Sequence, residues 1–217
     1  MNQLSEVQKI AIWILPILLA ITVHEAAHAW AAYKFGDTTA KQQGRLSFNP
    51  IVHIDLVGTI ILPCVLLLLG GFLFGWAKPV PVNARNFKNP RRDMAWVAAA
   101  GPISNLIMAV FWVLMIKAVE LILGDHSSTA TYLFYTGRAG VAINVVLFVL
   151  NLLPILPLDG GRVLYSLLPH RLAWQYGQLE PYGLIILVVL LVSGALSWVL
   201  SPLVRGLQHA LFMLISL

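Results

Sequence analysis

Charge is scarce in this sequence. Asp, Glu, Lys and Arg make up 11% of the chain against 59% hydrophobic residues, whereas soluble domains carry roughly 25% charged residues. That excludes a soluble fold with a single anchor and describes an integral membrane protein. Cysteine is nearly absent. Cys64, the one cysteine present, excludes an internal disulfide and a multi-cysteine metal site, and reads as a small packing residue. No cleavable signal is expected, because the first apolar run is long and contains an ionisable motif. The 217 residues leave no room for a membrane core plus a sizeable folded extramembrane domain. Internal repeats of the kind many transporters carry are missing too. The net charge of +5 does not point to nucleic acid, because eight of the fourteen basic residues fall in two short stretches, the pattern of cytoplasmic loops.

What the chain does have is long apolar runs. Four are long enough to cross a bilayer: about Ile10–Tyr33, Met94–Leu123, Gly140–Leu158 and Pro181–Leu200. A fifth, Leu56–Trp76, is interrupted by Pro63 and the Gly70-Gly71 pair. The tail Leu203–Leu217 is apolar but contains Arg205, Gln208 and His209, so it lies at the interface or completes a last hairpin. Lys34, Lys41 and Arg45 precede the fifth segment, and Lys78, Arg85, Lys88, Arg91 and Arg92 follow it. The positive-inside rule puts both flanks in the cytoplasm and makes the segment re-entrant. With Gly124–Arg138 as a short external loop, the count is ten basic residues inside against two outside, Lys9 and Arg138. The stretches Gln43–Val57 and Lys78–Asn83, rich in Gly, Pro and β-branched residues, predict extended or hairpin structure. The fold expected is an all-α polytopic bundle of about four to six transmembrane helices with a re-entrant or extended piece.

Inside the first span stand His24-Glu25-Ala26-Ala27-His28, the only strongly polar side chains between Ile10 and Tyr33. An ionisable group at the bilayer centre costs about 2.5–3.5 kcal/mol on insertion scales, so its presence needs a function. Positions i and i+4 share one helix face, which lets both imidazoles reach a single metal, with Glu25 placed to activate a water on it. A catalytic zinc takes three protein ligands. The extended H-E-x-x-H-x-x-G-x-x-H is missing, since Lys34 stands where its third histidine would be, and Glu120 and Glu180 lie near a helix end and in a polar loop. Of the aspartates only Asp159 ends an apolar span, in Asn151-Leu-Leu-Pro-Ile-Leu-Pro-Leu-Asp159-Gly-Gly. Pro154 and Pro157 break the helix there and Gly160-Gly161 free the chain after the acid. With Leu56–Trp76 re-entrant, the histidines and Asp159 fall at the same cytoplasmic depth.

These motifs resemble the site-2 protease family of intramembrane zinc metalloproteases. The likeness rests on the His24-Glu25-x-x-His28 and Asn151…Asp159-Gly-Gly segments, supported by Gly44–Pro50, His53-Ile-Asp55 and Ala100-Gly-Pro-Ile-Ser-Asn105, and it covers the chain from Ile10 to about Tyr182. The resemblance implies one zinc ion per chain on His24, His28 and Asp159, with Glu25 as general base. It gives Asn151 a bond to the substrate or intermediate, and has the extended stretches pair with an unwound transmembrane substrate in a bilayer. No PDZ or CBS module fits, so residues 1–217 are expected to form one membrane-embedded metalloprotease domain, in a prokaryotic plasma membrane with its site facing the cytoplasm. Two other readings stay open. One is a proton- or ion-coupled transporter with the His/Glu/Asp cluster as relay; the other is a zinc hydrolase of lipid or prenylated substrates. Asn105 and Asn144 read as packing groups, and His53 and Asp55 as fixing a loop or gating substrate.

Overall fold

A computed structural model describes residues 5–61, 75–124 and 127–215, and these are helical or irregular, with no strand among them. Helix α1 (Glu6–Lys34) starts at a capping box in which the Ser5 hydroxyl accepts from the Gln8 amide and the Gln8 side chain accepts from the Ser5 amide. A one-turn α2 (Thr39–Gln42) follows, then a 3-10 turn Pro50–His53 and a π-turn Leu56–Ile61. Helix α3 (Pro90–Leu123) opens with proline at its first position, where no amide hydrogen is needed. Helices α4 (Ser128–Asn151), α5 (Asp159–Leu167), α6 (His170–Gly177), α7 (Gly183–Val192) and α8 (Ala195–Met213) complete the chain. Among the described residues four stretches are long and apolar enough to span a membrane: Val7–Lys34, Pro90–Leu123, Ser128–Asn151 and His170–Val192.

Three expected boundaries move. The third span begins at Ser128 and ends at Asn151, instead of running over Gly140–Leu158. Its polar first half tolerates helix because Thr131 and Thr136 donate their hydroxyls back to the carbonyls of Ser127 and Tyr132. Residues 128–138 of the expected external loop Gly124–Arg138 are therefore helix, and Arg138 becomes a helix residue stacked against Phe134 and Phe212. The fourth span runs over His170–Val192 in place of Pro181–Leu200. Gly194, at φ +77°, turns the chain at a point where an L side chain would be strained. The tail then forms α8, which buries Leu211 against α3 and α4 and also packs on α7.

The expected extended stretches form no strand among the described residues. Gln43–Val57 folds as turns and a 3-10 helix, and Lys78–Asn83 is irregular. Backbone amides there bond to side chains instead of a neighbouring strand: Val80 to Glu25 Oε2 at 3.2 Å and Asn83 to Asp37 Oδ2 at 2.7 Å. The interior of Leu56–Trp76, residues 62–74 with Pro63, Cys64 and Gly70-Gly71, lies outside the described residues. Its two ends meet, however. The Trp76 amide donates to Gly58 O at 3.1 Å, the Thr59 hydroxyl to Trp76 O at 2.9 Å, and the Lys78 amide to His53 O at 2.9 Å. The chain therefore enters and leaves this segment at one place, as a re-entrant piece requires.

The core lies between α3 and α4, where Ala109, Trp112, Val113 and Ile116 face Val141, Val145 and Val149. Helix α3 packs on α1, α4 and α5 and so brings the ends of two distant sequence motifs to one level.

Candidate metal centre

His24 and His28 stand one turn apart on α1 with their rings edge-to-face, centroids 4.7 Å apart. Each ring has its Nδ1 committed. His28 Nδ1 donates to the Val97 carbonyl at 2.7 Å, and His24 Nδ1 to the Asn105 Oδ1 at 2.6 Å. Both partners are oxygens that only accept, so the proton of each neutral imidazole sits on Nδ1 and the lone pair on Nε2. The two Nε2 atoms lie 3.1 Å apart. Asp159 enters from the first turn of α5, with Oδ2 at 3.2 Å from His24 Nε2 and Oδ1 at 3.4 Å from His28 Nε2. Asp159 Oδ2 is buried and accepts no hydrogen bond.

Two lone pairs and a carboxylate at this separation repel one another unless a cation lies among them. Bonds of 2.0–2.2 Å at tetrahedral angles place ligand atoms about 3.3–3.5 Å apart, close to the spacing seen here. The donor set of two imidazoles and one carboxylate is that of a catalytic zinc site with one position left for water or substrate. The residues present fit a zinc ion.

Local sequence explains why the site forms. Gly101 of α3 is the contact point with α1: a Cβ there would stand 2.4 Å from His28 Nε2 and 2.6 Å from His24 Cε1. The loop 152–158 breaks the chain between Asn151 and Asp159, as the two prolines predict. The glycines after the acid act otherwise than expected. Gly160 and Gly161 are helical, and their missing side chains let α5 start directly against the 152–156 backbone; a Cβ at Gly160 would lie 2.3 Å from Leu152 O.

Around this centre the structure assigns places to the remaining candidates. Glu25 is half-buried beside the histidines, with Oε2 accepting the Val80 amide. Asn151 donates Nδ2 to Leu147 O, one turn back on its own helix, and no hydrogen bond joins it to the histidines or Asp159. His53 is buried with Nε2 on Ser47 O, and Asp55 caps the next turn through the Gly58 amide, so both fix a loop. Asn144 is a packing group, returning its amide to Gly140 O.

Asn105 does more than the packing read for it. Its Oδ1 orients His24 while its Nδ2 donates to Ala20 O and to Asn144 Oδ1, so every polar atom of this fully buried amide is used. An amide within an apolar span is the available signal; which helix it serves is decided only by α3 facing α1. Such outer partners of a metal-binding histidine change metal affinity about 10–100-fold. Asn105→Ala should therefore weaken zinc retention against a chelator by that order, with a smaller effect for Asn144→Ala. Equal retention by Asn105→Ala and wild type would remove the positioning role.

Asp37, inconspicuous in the sequence, holds the cover over Glu25. Its carboxylate accepts from the Thr39 amide and hydroxyl, the Asn83 amide and the Asn86 side chain, tying the 83–86 turn to the end of α1. Burial alone would raise its pKa, but these bonds from Thr39, Asn83 and Asn86 hold it below the ordinary carboxylate value. A lowered folded-state pKa means the clamp is intact at neutral pH and is lost only as pH falls through that lowered value.

The fold and the three converging ligand atoms fit a membrane-embedded metalloenzyme, with two histidines of one helix facing a carboxylate from a second. Residues 12–137 and 125–193 match peptidase family M50, and the chain belongs to that family, the site-2 proteases; it is a membrane zinc metalloprotease. It is 42% identical over 206 residues to a Bacillus subtilis protein named "Putative zinc metalloprotease YwhC", covering 94% of this chain and 90% of that one. It is 30% identical over 181 residues to "Putative zinc metalloprotease Rip2" of Mycolicibacterium smegmatis, covering 83% of this chain and 66% of the relative. The Rip2 of Mycobacterium tuberculosis H37Rv is 29% identical over the same length. The chain thus spans a little under two thirds of the mycobacterial relatives. No solved structure matches it. Family membership decides against the transporter reading.

Proposed function

We propose that this protein hydrolyses peptide bonds in or near the transmembrane segments of other membrane proteins, in regulated intramembrane proteolysis. The single observation that carries the reading is the convergence of His24 Nε2, His28 Nε2 and the Asp159 carboxylate beside Glu25 within a membrane-spanning bundle. In this reading His24, His28 and Asp159 hold one zinc ion. When bound, zinc supplies Lewis acidity toward the scissile carbonyl and toward water.

Glu25 is the general base. It takes a proton from the attacking water and returns it to the amide nitrogen as the C–N bond breaks. The Val80 amide on Oε2 fixes the carboxylate, so Oε1 is the oxygen turned to water. A helical substrate has its amides satisfied internally and must unwind before attack. The irregular backbone over 75–83, already lying across Glu25, supplies replacement partners by strand addition. Asn151, at the end of α4 before the break, binds the substrate backbone with the amide capacity that Leu147 leaves free. Residues 1–217 act as one catalytic domain in this reading.

The site opens toward the cytoplasmic face of a prokaryotic plasma membrane, a reading supported by the basic residues flanking Leu56–Trp76. In a Cys64→Ser background, Arg85→Cys should react with an impermeant thiol reagent only from the cytoplasmic side; labelling from outside would invert the topology. The metal assignment is tested by zinc content of the purified full chain. Wild type should hold one zinc, and His28→Ala and Asp159→Asn should each hold less, because two protein ligands retain the ion poorly. Unchanged zinc in either variant would refute the ligand set.

A further inference from the structure

The first turns of α3 present two different faces. Val97, Gly101 and Asn105 point to α1 and the histidines. Arg92, Ala95, Trp96 and Ala99, spaced i, i+3, i+4 and i+7, form a stripe on another side. Opposite that stripe stand Val163 and Leu167 of α5, and between the two helices lies an open cavity of about 620 Å³. Ala95, Ala99, Val163 and Leu167 give it an apolar lining, and Arg91 and Arg92 line it as well.

The depth and the charge of this cavity identify what it suits. At 1.5 Å per residue the 34 residues of α3 run about 51 Å, well beyond a hydrocarbon core of about 30 Å. That surplus, with Arg91 and Arg92 in the first turn, suits a first turn at headgroup level. Trp96, one turn further in and exposed, matches an interfacial belt residue. Arg91 donates to the Leu168 carbonyl, which joins the start of α3 to the end of α5. Arg92 is exposed, and among the described residues no carboxylate pairs with either arginine. Asp93, next in sequence, is buried and caps the Asn89 amide. Two arginines beside an apolar trough match a phosphate joined to an acyl chain.

We propose that this cavity binds one anionic phospholipid, its phosphate on Arg92 and Arg91 and an acyl chain along Ala95 and Ala99. The lipid packs on α5, the nine-residue helix whose first residue is Asp159, so its occupancy braces the element that brings the carboxylate to the site. The proposal rests on the membrane spans and not on the peptidase reading.

The test uses the full chain in vesicles of equimolar phosphatidylcholine and phosphatidylglycerol, extracted gently, with retained lipid counted by native mass spectrometry. Wild type should retain phosphatidylglycerol in preference to phosphatidylcholine. Arg92→Gln should lower that preference about fivefold, the effect of one basic residue at an anionic surface, and Arg92→Lys should largely restore it. Ala95→Phe, which fills the trough, should lower retention of phosphatidylglycerol. Unchanged helix content by circular dichroism and an unchanged size-exclusion profile show that each variant is folded. Equal retention of both lipids by wild type, or wild-type preference in Arg92→Gln, overturns the proposal. Wild-type retention in Ala95→Phe, or displacement of the lipid by inorganic phosphate alone, does so too.

Discussion

Glu25→Gln should leave zinc content at the wild-type level and reduce cleavage of a transmembrane substrate by about 10²–10⁴-fold, the usual contribution of a positioned general base. The two halves of this expectation come from different parts of the geometry. Glu25 is not among the three side chains whose ligand atoms converge, so removing its charge leaves His24, His28 and Asp159 as they are. The glutamine keeps the shape of the side chain and a carbonyl oxygen able to accept the Val80 amide, so the 75–83 segment keeps its place. What disappears is basicity at the oxygen turned to water. Zinc measured by elemental analysis and cleavage measured in reconstituted vesicles separate the two. Turnover within tenfold of wild type would remove Glu25 as base, whereas a loss of zinc would make it a structural partner of the ligands. In cells the same variant should accumulate uncleaved membrane proteins, which proteomics can identify.

Part of this arrangement is legible in the sequence because polar groups are scarce there. In a chain with 11% charged residues, an acid or a pair of histidines inside an apolar run stands out. The i, i+4 spacing on a helix, together with prolines ahead of Asp159, is enough to bring three residues to one depth. The ends of the Leu56–Trp76 segment follow the same logic, since charge on both flanks sets them on one side and Gly58 and Trp76 meet. Helix limits are less legible because hydropathy cannot see local hydrogen bonding. Thr131 and Thr136 satisfy themselves within α4, so a polar stretch is helical and Arg138 lies along it. The Lys78–Asn83 stretch carries the composition of a strand, yet its amides go to Glu25 and Asp37, and no composition rule anticipates a carboxylate as partner. Least legible are the groups whose role depends on which helix faces which: Asn105 on His24, Asp37 on the 83–86 turn, and above all Gly101.

Gly101→Ala should therefore lower zinc occupancy and reduce cleavage by about 10²-fold, although the residue carries no functional group. An added Cβ would lie 2.4 Å from His28 Nε2 and 2.6 Å from both His24 Cε1 and His28 Cε1, far inside van der Waals contact. If the rings give way, each loses the bond that fixes its tautomer, to Val97 O or Asn105 Oδ1. If α3 withdraws from α1 instead, those two acceptors leave with it. Either relaxation moves the ligand atoms by an appreciable fraction of an ångström, and a misplacement of about 1 Å is enough for a 10²-fold loss. General helix destabilisation is distinguished by Gly137→Ala. That substitution also presses a methyl group between α3 and α4, against Ile116 and Met115, but far from the histidines. It should lower thermal stability while leaving zinc at one per chain. Full zinc and full activity in Gly101→Ala would mean that the two helices do not meet at this point, and the close backing of the histidine pair by α3 would have to be given up.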